Sequence, residues 1–295
     1  VSQAAKKLPP PGVSPLVVPV VTAFDTSALK QPIFEALAQK IYQIAGIHLP
    51  YNEKNVALMS NRLTRLMRDY DIKSFDQLNE ALKIPSEKMK QDFVSALTTN
   101  KTDFFREEAH FDFLKAQWPQ MFKAKPEVRI WSSACSAGSE PYTLAVMAAE
   151  QLNPIERQRL KILATDIDLE ILKKAVKAQY TSIELEGLLP HHKQKYFKQI
   201  SAGMFELIPE LAKSVHFSEF NLMNFQHRFQ KKFDVIFCRN VLIYFDKETT
   251  DKVLELLVSN LDLNGYLIIG HSESGVIRHP CLKALGNSIF QKVRN

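Results

Sequence analysis

The sequence predicts two folded parts in series. An all-helical domain spans about residues 25–98, and an α/β domain spans 99–295, with a parallel sheet and a small antiparallel β insert at about 180–218. Three observations predict this. Apolar residues recur at helical spacing from about 25 to 98, and no strand pattern interrupts them. Short apolar runs alternate with helical stretches from about 127 onward, which indicates βαβ units with helices on both faces of a parallel sheet. One stretch of the second part, about 180–218, breaks that alternation. With 295 residues, 45% of them apolar, the chain has material for the cores of one or two domains.

The elements follow in order. Residues 1–24 hold Pro9, Pro10, Pro11, Pro15 and Pro19, and each proline removes a donor and restricts its predecessor. This is read as an extended tail, passive rather than docked through Val17, Val18, Val20 and Val21. Ile33, Leu37, Ile41 and Ile44 form one helical stripe, and Leu58, Leu63, Leu66 and Met67 mark a second helix. Shorter helices follow around Phe75–Leu82 and Met89–Leu97, with Pro85-Ser86 as a start signal. Strand-like runs lie at 128–133, 161–166, 233–240 and 265–270, with a helix from about Pro141 to Gln151. In the insert, Pro190–Gln199 looks helical, and 204–209 and 214–220 look like two antiparallel strands.

Composition removes several function classes. Nine glycines exclude a collagen-like chain, and 10% aromatic residues argue against long disorder. No run of about 18 apolar residues predicts a membrane span, and the N-terminus lacks a signal-peptide pattern. Cys135, Cys238 and Cys281 form no CxxC pair, which suits a reducing cytoplasm. A net charge of +6 fits an anionic partner but does not by itself indicate nucleic acid. There is no GxSxG, HExxH or P-loop, and His110, His271 and His279 read as isolated surface or capping residues rather than metal ligands.

Five motifs carry chemistry. SerAlaCysSerAlaGlySerGluProTyr (133–142) sits where the first strand turns into a helix. Gly138 and its small neighbours would let the backbone approach a ligand. A phosphate-binding turn would not place an acid such as Glu140 at the helix start, so the turn suits a cationic or hydroxyl-bearing ligand, or is an ordinary turn with a capping acid. AlaThrAspIleAsp (164–168) closes the second strand. Asp166 is placed to take ribose hydroxyls, while Asp168 is placed to cap the next helix. Glu140 and Asp166 together favour an adenosyl ligand without a pyrophosphate. PheCysArgAsnValLeuIleTyrPhe (237–245) puts Arg239 and Asn240 at a strand end, with Tyr244 facing the same pocket or the core. ThrThrAsnLysThrAspPhePheArgGlu (98–107) links the domains as a functional turn or a capped helix start bearing Asn100, Thr102 and Arg106. Arg62, Arg65 and Arg68 share one helix face, as a docking stripe or a solvated surface.

Taken together, these motifs and GlyHisSerGluSer (270–274) resemble the chemotaxis receptor methyltransferases of the CheR type, over roughly residues 30–293. The resemblance implies a Rossmann-like S-adenosylmethionine-dependent methyltransferase domain with a small antiparallel β insert, preceded by the helical domain. It implies S-adenosylmethionine as donor and glutamate side chains on chemoreceptor cytoplasmic helices as acceptors, giving glutamyl methyl esters. Carried over by position, the cofactor contacts fall on Asn100, Thr102, Arg106, Glu140, Asp166, Asn221, Leu222, Arg239 and Asn240, with Tyr244 beside the transferring methyl group and Arg106 holding either the acceptor's or the donor's carboxylate. Asn221 and Leu222 come from the resemblance alone. The Arg62, Arg65, Arg68 face would meet the receptor's acidic helices. Some family members also bind a receptor tail peptide through a longer loop in the insert. The stretch 198–207 looks short here, so tail-peptide tethering is not expected. The protein is expected to be a cytoplasmic monomer without metal, nucleic acid or membrane insertion. The competing readings are a nucleic-acid methyltransferase, which would need a base-gripping aromatic loop, and a cofactor-binding regulatory module without turnover.

Overall fold

The computed structural model describes residues 29–294. The proline-bearing tail at 1–24 and the start of the helical domain at 25 lie outside the described residues. Four helices come first: α1 (Gln31–Ala45), α2 (Glu53–Asp69), α3 (Phe75–Ala81) and α4 (Glu87–Leu97). Three of them start where a polar side chain satisfies an orphan amide. Asn52 accepts from Asn55 N–H, Ser74 from Gln77 N–H, and Ser86 from Met89 N–H. One shared core fills between them, from Phe34, Leu37 and Ile41 to Met59, Leu63 and Phe93. The buried stripe of α1 is turned by one residue from the sequence reading. Phe34 and Ala45 are buried, whereas Ile33 and Ile44 pack only partly against the core.

The second part opens with α5 (Ala109–Ala124), β1 (Val128–Ser132), α6 (Ser139–Gln151), α7 (Pro154–Arg159), β2 (Leu160–Asp166) and α8 (Leu169–Lys177). The insert follows with β3 (Gln179–Thr181), α9 (Pro190–Tyr196), β4 (Phe197–Ser201), β5 (Met204–Leu207) and α10 (Pro209–Ala212). The chain ends with β6 (Val215–Glu219), β7 (Phe233–Cys238), α11 (Lys247–Asn260), β8 (Leu261–Ile269), β9 (Leu282–Gly286) and β10 (Ile289–Lys292). The main sheet has seven strands in the order β6-β2-β1-β7-β8-β10-β9. Its first five strands are parallel, and β10 returns antiparallel to both β8 and β9. Every residue of β7 is buried because both faces of the sheet are covered. Val235 and Phe237 join the core under α5 and α6, while Ile236 and Cys238 join the core under α11.

Two sequence expectations fail in the insert. Residues 214–220 do not pair with 204–209. They form β6, which runs parallel to β2 at the edge of the main sheet. The partner of β5 is instead β4, at the end of the stretch read as helical, with β3 on the other side. Short alternating strands look alike whether they pair parallel or antiparallel, so the sequence does not distinguish the two arrangements. Among the described residues no helix is long and apolar enough to cross a membrane.

The two parts meet at the end of α1. Gly46 closes that helix with φ 72°, and its N–H donates to the Tyr42 carbonyl. His48 N–H donates to the Tyr244 carbonyl at 2.7 Å, and Tyr42 Oη donates to Asp246 at 2.9 Å. A Cβ on Gly46 would stand 2.5 Å from Met223 Sδ and 3.2 Å from Phe245 Cδ1. Gly46→Ala therefore combines left-handed strain with overpacking, and should lower unfolding free energy by about 2–3 kcal/mol in urea titration. A loss below about 0.5 kcal/mol would show that the joint tolerates a side chain.

Candidate functional site

The strand order reverses around β1, so the C-terminal ends of β1, β2 and β7 splay apart and open a crevice. The cleft there measures about 950 Å³, open solvent at its mouth included. Asn100, Thr102, Arg106, Glu140 and Asp166 line it, and so do Asn221, Leu222, Arg239, Asn240 and Tyr244. These residues come from five separate segments, and the topology brings all ten to one wall system.

The turn after β1 is anchored to its neighbours. Ser133 N–H donates to the Phe237 carbonyl and Cys135 N–H to the Thr165 carbonyl. Ser136, at φ 50°, donates its N–H to Asp166 Oδ2 at 2.8 Å. Asp166 Oδ1 accepts from Asp168 N–H at 3.0 Å. Burial pushes the Asp166 carboxyl up to about 6, against the pull of these backbone donors. Gly138 differs from its expected role. Its missing Cβ faces Ala175, Tyr142 and Tyr180 at 3.1–3.2 Å, so it allows a φ of 89° and close packing under α8 rather than approach to a ligand.

Asp168 caps α8 as its position suggests, accepting from Glu170 and Ile171 N–H. It also accepts from Asn100 Nδ2 at 2.7 Å, Thr98 Oγ1 at 3.0 Å and Ser95 Oγ at 3.1 Å. One carboxylate thus holds the interdomain linker against the α/β half. The Asn100 side chain is turned toward Asp168 while its residue lines the cleft.

Arg239 is buried at the end of β7. It pairs with Glu140 at 2.9 Å and Glu107 at 3.3 Å, and donates to the Arg106 carbonyl. Ser132 Oγ donates to the other Glu140 oxygen at 2.6 Å. Glu140 is therefore not an unpaired acid awaiting a ligand, since its charge already meets a guanidinium. Arg106 is half-buried on the cleft wall and donates to the Lys101 carbonyl at 3.1 Å. Among the described residues no carboxylate pairs with it. The turn that presents it is unusual, with Phe105 and Glu107 at φ 53° and 58°. Phe104 holds that turn from below, packing edge-on against Tyr180 and Phe197 of the insert at 5.1 and 5.6 Å.

Asn221 works differently from a simple ligand contact. Its Nδ2 donates to the Ile44 carbonyl at 2.7 Å and its Oδ1 accepts from Met223 N–H at 2.9 Å, so the side chain ties α1 to the α/β half. Leu222 is both core and lining. Sequence reasoning missed the apolar walls: Ala45, Ile47 and Leu97 from the helical domain, and Phe220, Val241 and Phe245 from the other. These carry no polar signature, so only the fold reveals them.

Two further corrections concern charged groups. Arg62 is not part of a free stripe. Its guanidinium donates to the carbonyls of Leu97 and Thr98 and to Thr99 Oγ1 at 2.8–3.0 Å, because α2 packs beside the end of α4. Only Arg65 and Arg68 remain exposed. The histidines are also less isolated than the sequence implies. Ligand atoms of Glu107, His110 and His271 lie within 4.8 Å of one another, as do those of Glu150, His191 and His192. In each group a cation already sits on the carboxylate: Arg239 on Glu107, and Lys195 on Glu150 at 2.9 Å.

Comparison with known proteins gives a consistent result. Residues 32–98 match the model of the CheR methyltransferase all-alpha domain, and residues 100–283 match that of the CheR methyltransferase SAM binding domain. The chain is 39% identical over 269 residues to the chemotaxis protein methyltransferase of Salmonella typhimurium, covering 89% of this chain and 91% of that protein. It is 38% identical over 251 residues to the Escherichia coli chemotaxis protein methyltransferase, covering 84% and 86%. The Borreliella burgdorferi counterpart is 37% identical over 246 residues, covering 81% and 86%.

Proposed function

Because the chain belongs to the CheR methyltransferase family, we propose that it moves a methyl group from S-adenosylmethionine to glutamate side chains on chemoreceptor cytoplasmic helices. The observation that carries this reading is the convergence of Arg106, Glu140, Asp166, Arg239 and Tyr244 on one cleft. The cleft suits the donor. Each oxygen of Asp166 takes one backbone N–H and keeps a lone pair for a ribose hydroxyl. Asn100, Thr102, Glu140, Asn221 and Leu222 line the same cleft and are offered as further contacts of the donor. S-adenosylmethionine supplies an electrophilic methyl on a sulfonium, already a good leaving group.

The protein's part is then positioning. A glutamate carboxylate, with an ordinary pKa of about 4.3, is ionised at neutral pH and needs no general base. Arg106 offers a guanidinium that no carboxylate of the described residues pairs with, suited to holding the acceptor or the donor carboxylate. Tyr244 lines the path of the methyl group. Ala45 and Ile47 close the cleft from the helical domain and reduce water access. Orienting two reactants in this way is worth on the order of 7–11 kcal/mol of barrier when alignment is good. The relatives are chemotaxis methyltransferases, which disfavours nucleic acid as substrate. The hairpin between β4 and β5 turns over Ala202 and Gly203 alone, which supports a reading without tail-peptide tethering.

The deciding experiment is transfer of labelled methyl from donor to receptor-enriched membranes. Base-labile label on receptor glutamates is expected. Base-stable label, or none, would defeat the proposal.

Asp166 gives a pH test. Its folded pKa of about 6 lies above the usual 3.8, so the proton it holds stabilises the free protein at low pH. That contribution is lost as pH rises through 6. Ribose hydroxyls donate to the ionised form, so donor binding opposes the proton. Affinity for S-adenosylhomocysteine should be flat above about pH 7 and fall below about 6, approaching tenfold per pH unit. Calorimetry on wild type and Asp166→Asn would check this. A wild-type profile as flat as the variant's would remove Asp166 from the ribose.

Reversing Arg65 and Arg68 should raise the Michaelis constant for receptor about tenfold and leave that for donor unchanged. Steady-state kinetics showing equal effects on both would dismiss these two as docking residues.

A further inference from the structure

Glu273 is a buried carboxylate with no assigned task. It is 2% exposed and is the third residue of the short 3-10 turn His271–Val276 that follows β8. Among the described residues no lysine or arginine pairs with it. Backbone amides alone answer its charge: Oε2 accepts from Gly270 N–H at 2.8 Å and Asn240 N–H at 2.8 Å, and Oε1 accepts from Ile243 N–H at 3.2 Å. Only the Gly270 contact is a local cap. The other two reach across to the segment that carries Asn240 and Tyr244.

Apart from this, the segment is tied by His48 N–H at the Tyr244 carbonyl and by the buried Leu242 side chain, neither of which reaches the amides of Asn240 or Ile243. Asn240 sits at φ 58°, a left-handed conformation that costs an ordinary residue roughly 1–2 kcal/mol. Leu242–Tyr244 is a single 3-10 turn of three residues, and so short a turn has poor hydrogen-bond geometry of its own. The strand end also presses directly on it. A Cβ on Gly270 would stand 2.7 Å from Asn240 Nδ2 and 2.6 Å from Glu273 Oε2. Burial raises the carboxyl of Glu273 and the amides of the segment pull it back, so the group and the segment stabilise each other.

We propose that Glu273 is a positioning residue for methyl transfer, clamping the amides of Asn240 and Ile243 so that Asn240 and Tyr244 face the cleft in one arrangement. This rests on the reading of the cleft given above. The clamp requires an acceptor at both oxygens. A glutamine would turn an NH₂ toward one of the backbone N–H groups and set donor against donor.

Two measurements test it. In Glu273→Gln that remains folded by near-ultraviolet circular dichroism, kcat should fall about tenfold or more, because small misplacement of reacting groups is costly. The receptor Michaelis constant should stay within about twofold, since docking lies elsewhere. Wild-type kcat in the folded variant, or a change confined to the receptor Michaelis constant, overturns the proposal. Hydrogen exchange on the ligand-free wild-type protein decides the matter even if the variant does not fold. Slow exchange at Asn240 and Ile243 supports the clamp, and exchange as fast as in open loops refutes it. Failure of the glutamyl ester reading would show instead as missing base-labile label in the wild type, with the exchange result untouched.

Discussion

The cleft depends on satisfying one buried cation. Arg239 sits 7% exposed between Glu140 and Glu107, with the Arg106 carbonyl as a further acceptor. A guanidinium out of water needs acceptors; Nη1 and Nη2 of Arg239 find them while Nε is left without one among the described residues, and removing a partner from such a pair typically costs about 3–5 kcal/mol. Meeting that demand joins three segments: the end of β7, the start of α6, and the left-handed turn at 105–107. The ligand-facing wall is thus built by internal charge balance first, and its surplus polar groups are what remain for chemistry. His110 belongs to the same network. Burial and the nearby Arg239 push its imidazole down to about 4, so it stays neutral and adds no second cation.

The helical domain is part of this wall rather than an appendage. Asn221 reaches back to the Ile44 carbonyl, His48 grips the Tyr244 carbonyl, and Asp168 gathers the linker through Ser95, Thr98 and Asn100. A helix whose end packs against the loop that carries Tyr244 couples any force on its outer face to the cleft. Arg65 and Arg68 lie on α2, whose core is continuous with that of α1.

Much of this was legible in the sequence, and the misses share a physical cause. Strands ending in acids or in Arg-Asn can be recognised, because a strand end is where a parallel sheet binds ligands. Asp166 and Arg239 were therefore visible from spacing alone. Partner choice is not visible in that way. Arg62 looks equivalent to Arg65 and Arg68 until the end of α4 is found to lie against it. Gly138 reads as a ligand-approach glycine until Ala175 is found behind it. The strand β6 alternates like a hairpin arm, and only its pairing with β2 assigns it to the main sheet. Glu273 was quoted within a motif without a role, because its acceptors serve amides distant in the chain.

The small insert is bound into the machinery from beneath. Phe104 lies among Tyr180 and Phe197, and a Cβ on Gly187 would stand 2.2 Å from the Phe104 carbonyl oxygen. Two residues along the chain, Arg106 lines the cleft. The hairpin is consequently no detachable accessory. Transplanting it from a relative would mean matching the aromatic socket underneath as well as the surface on top, and a graft that ignored the socket would loosen the turn that sets Arg106 on the cleft wall.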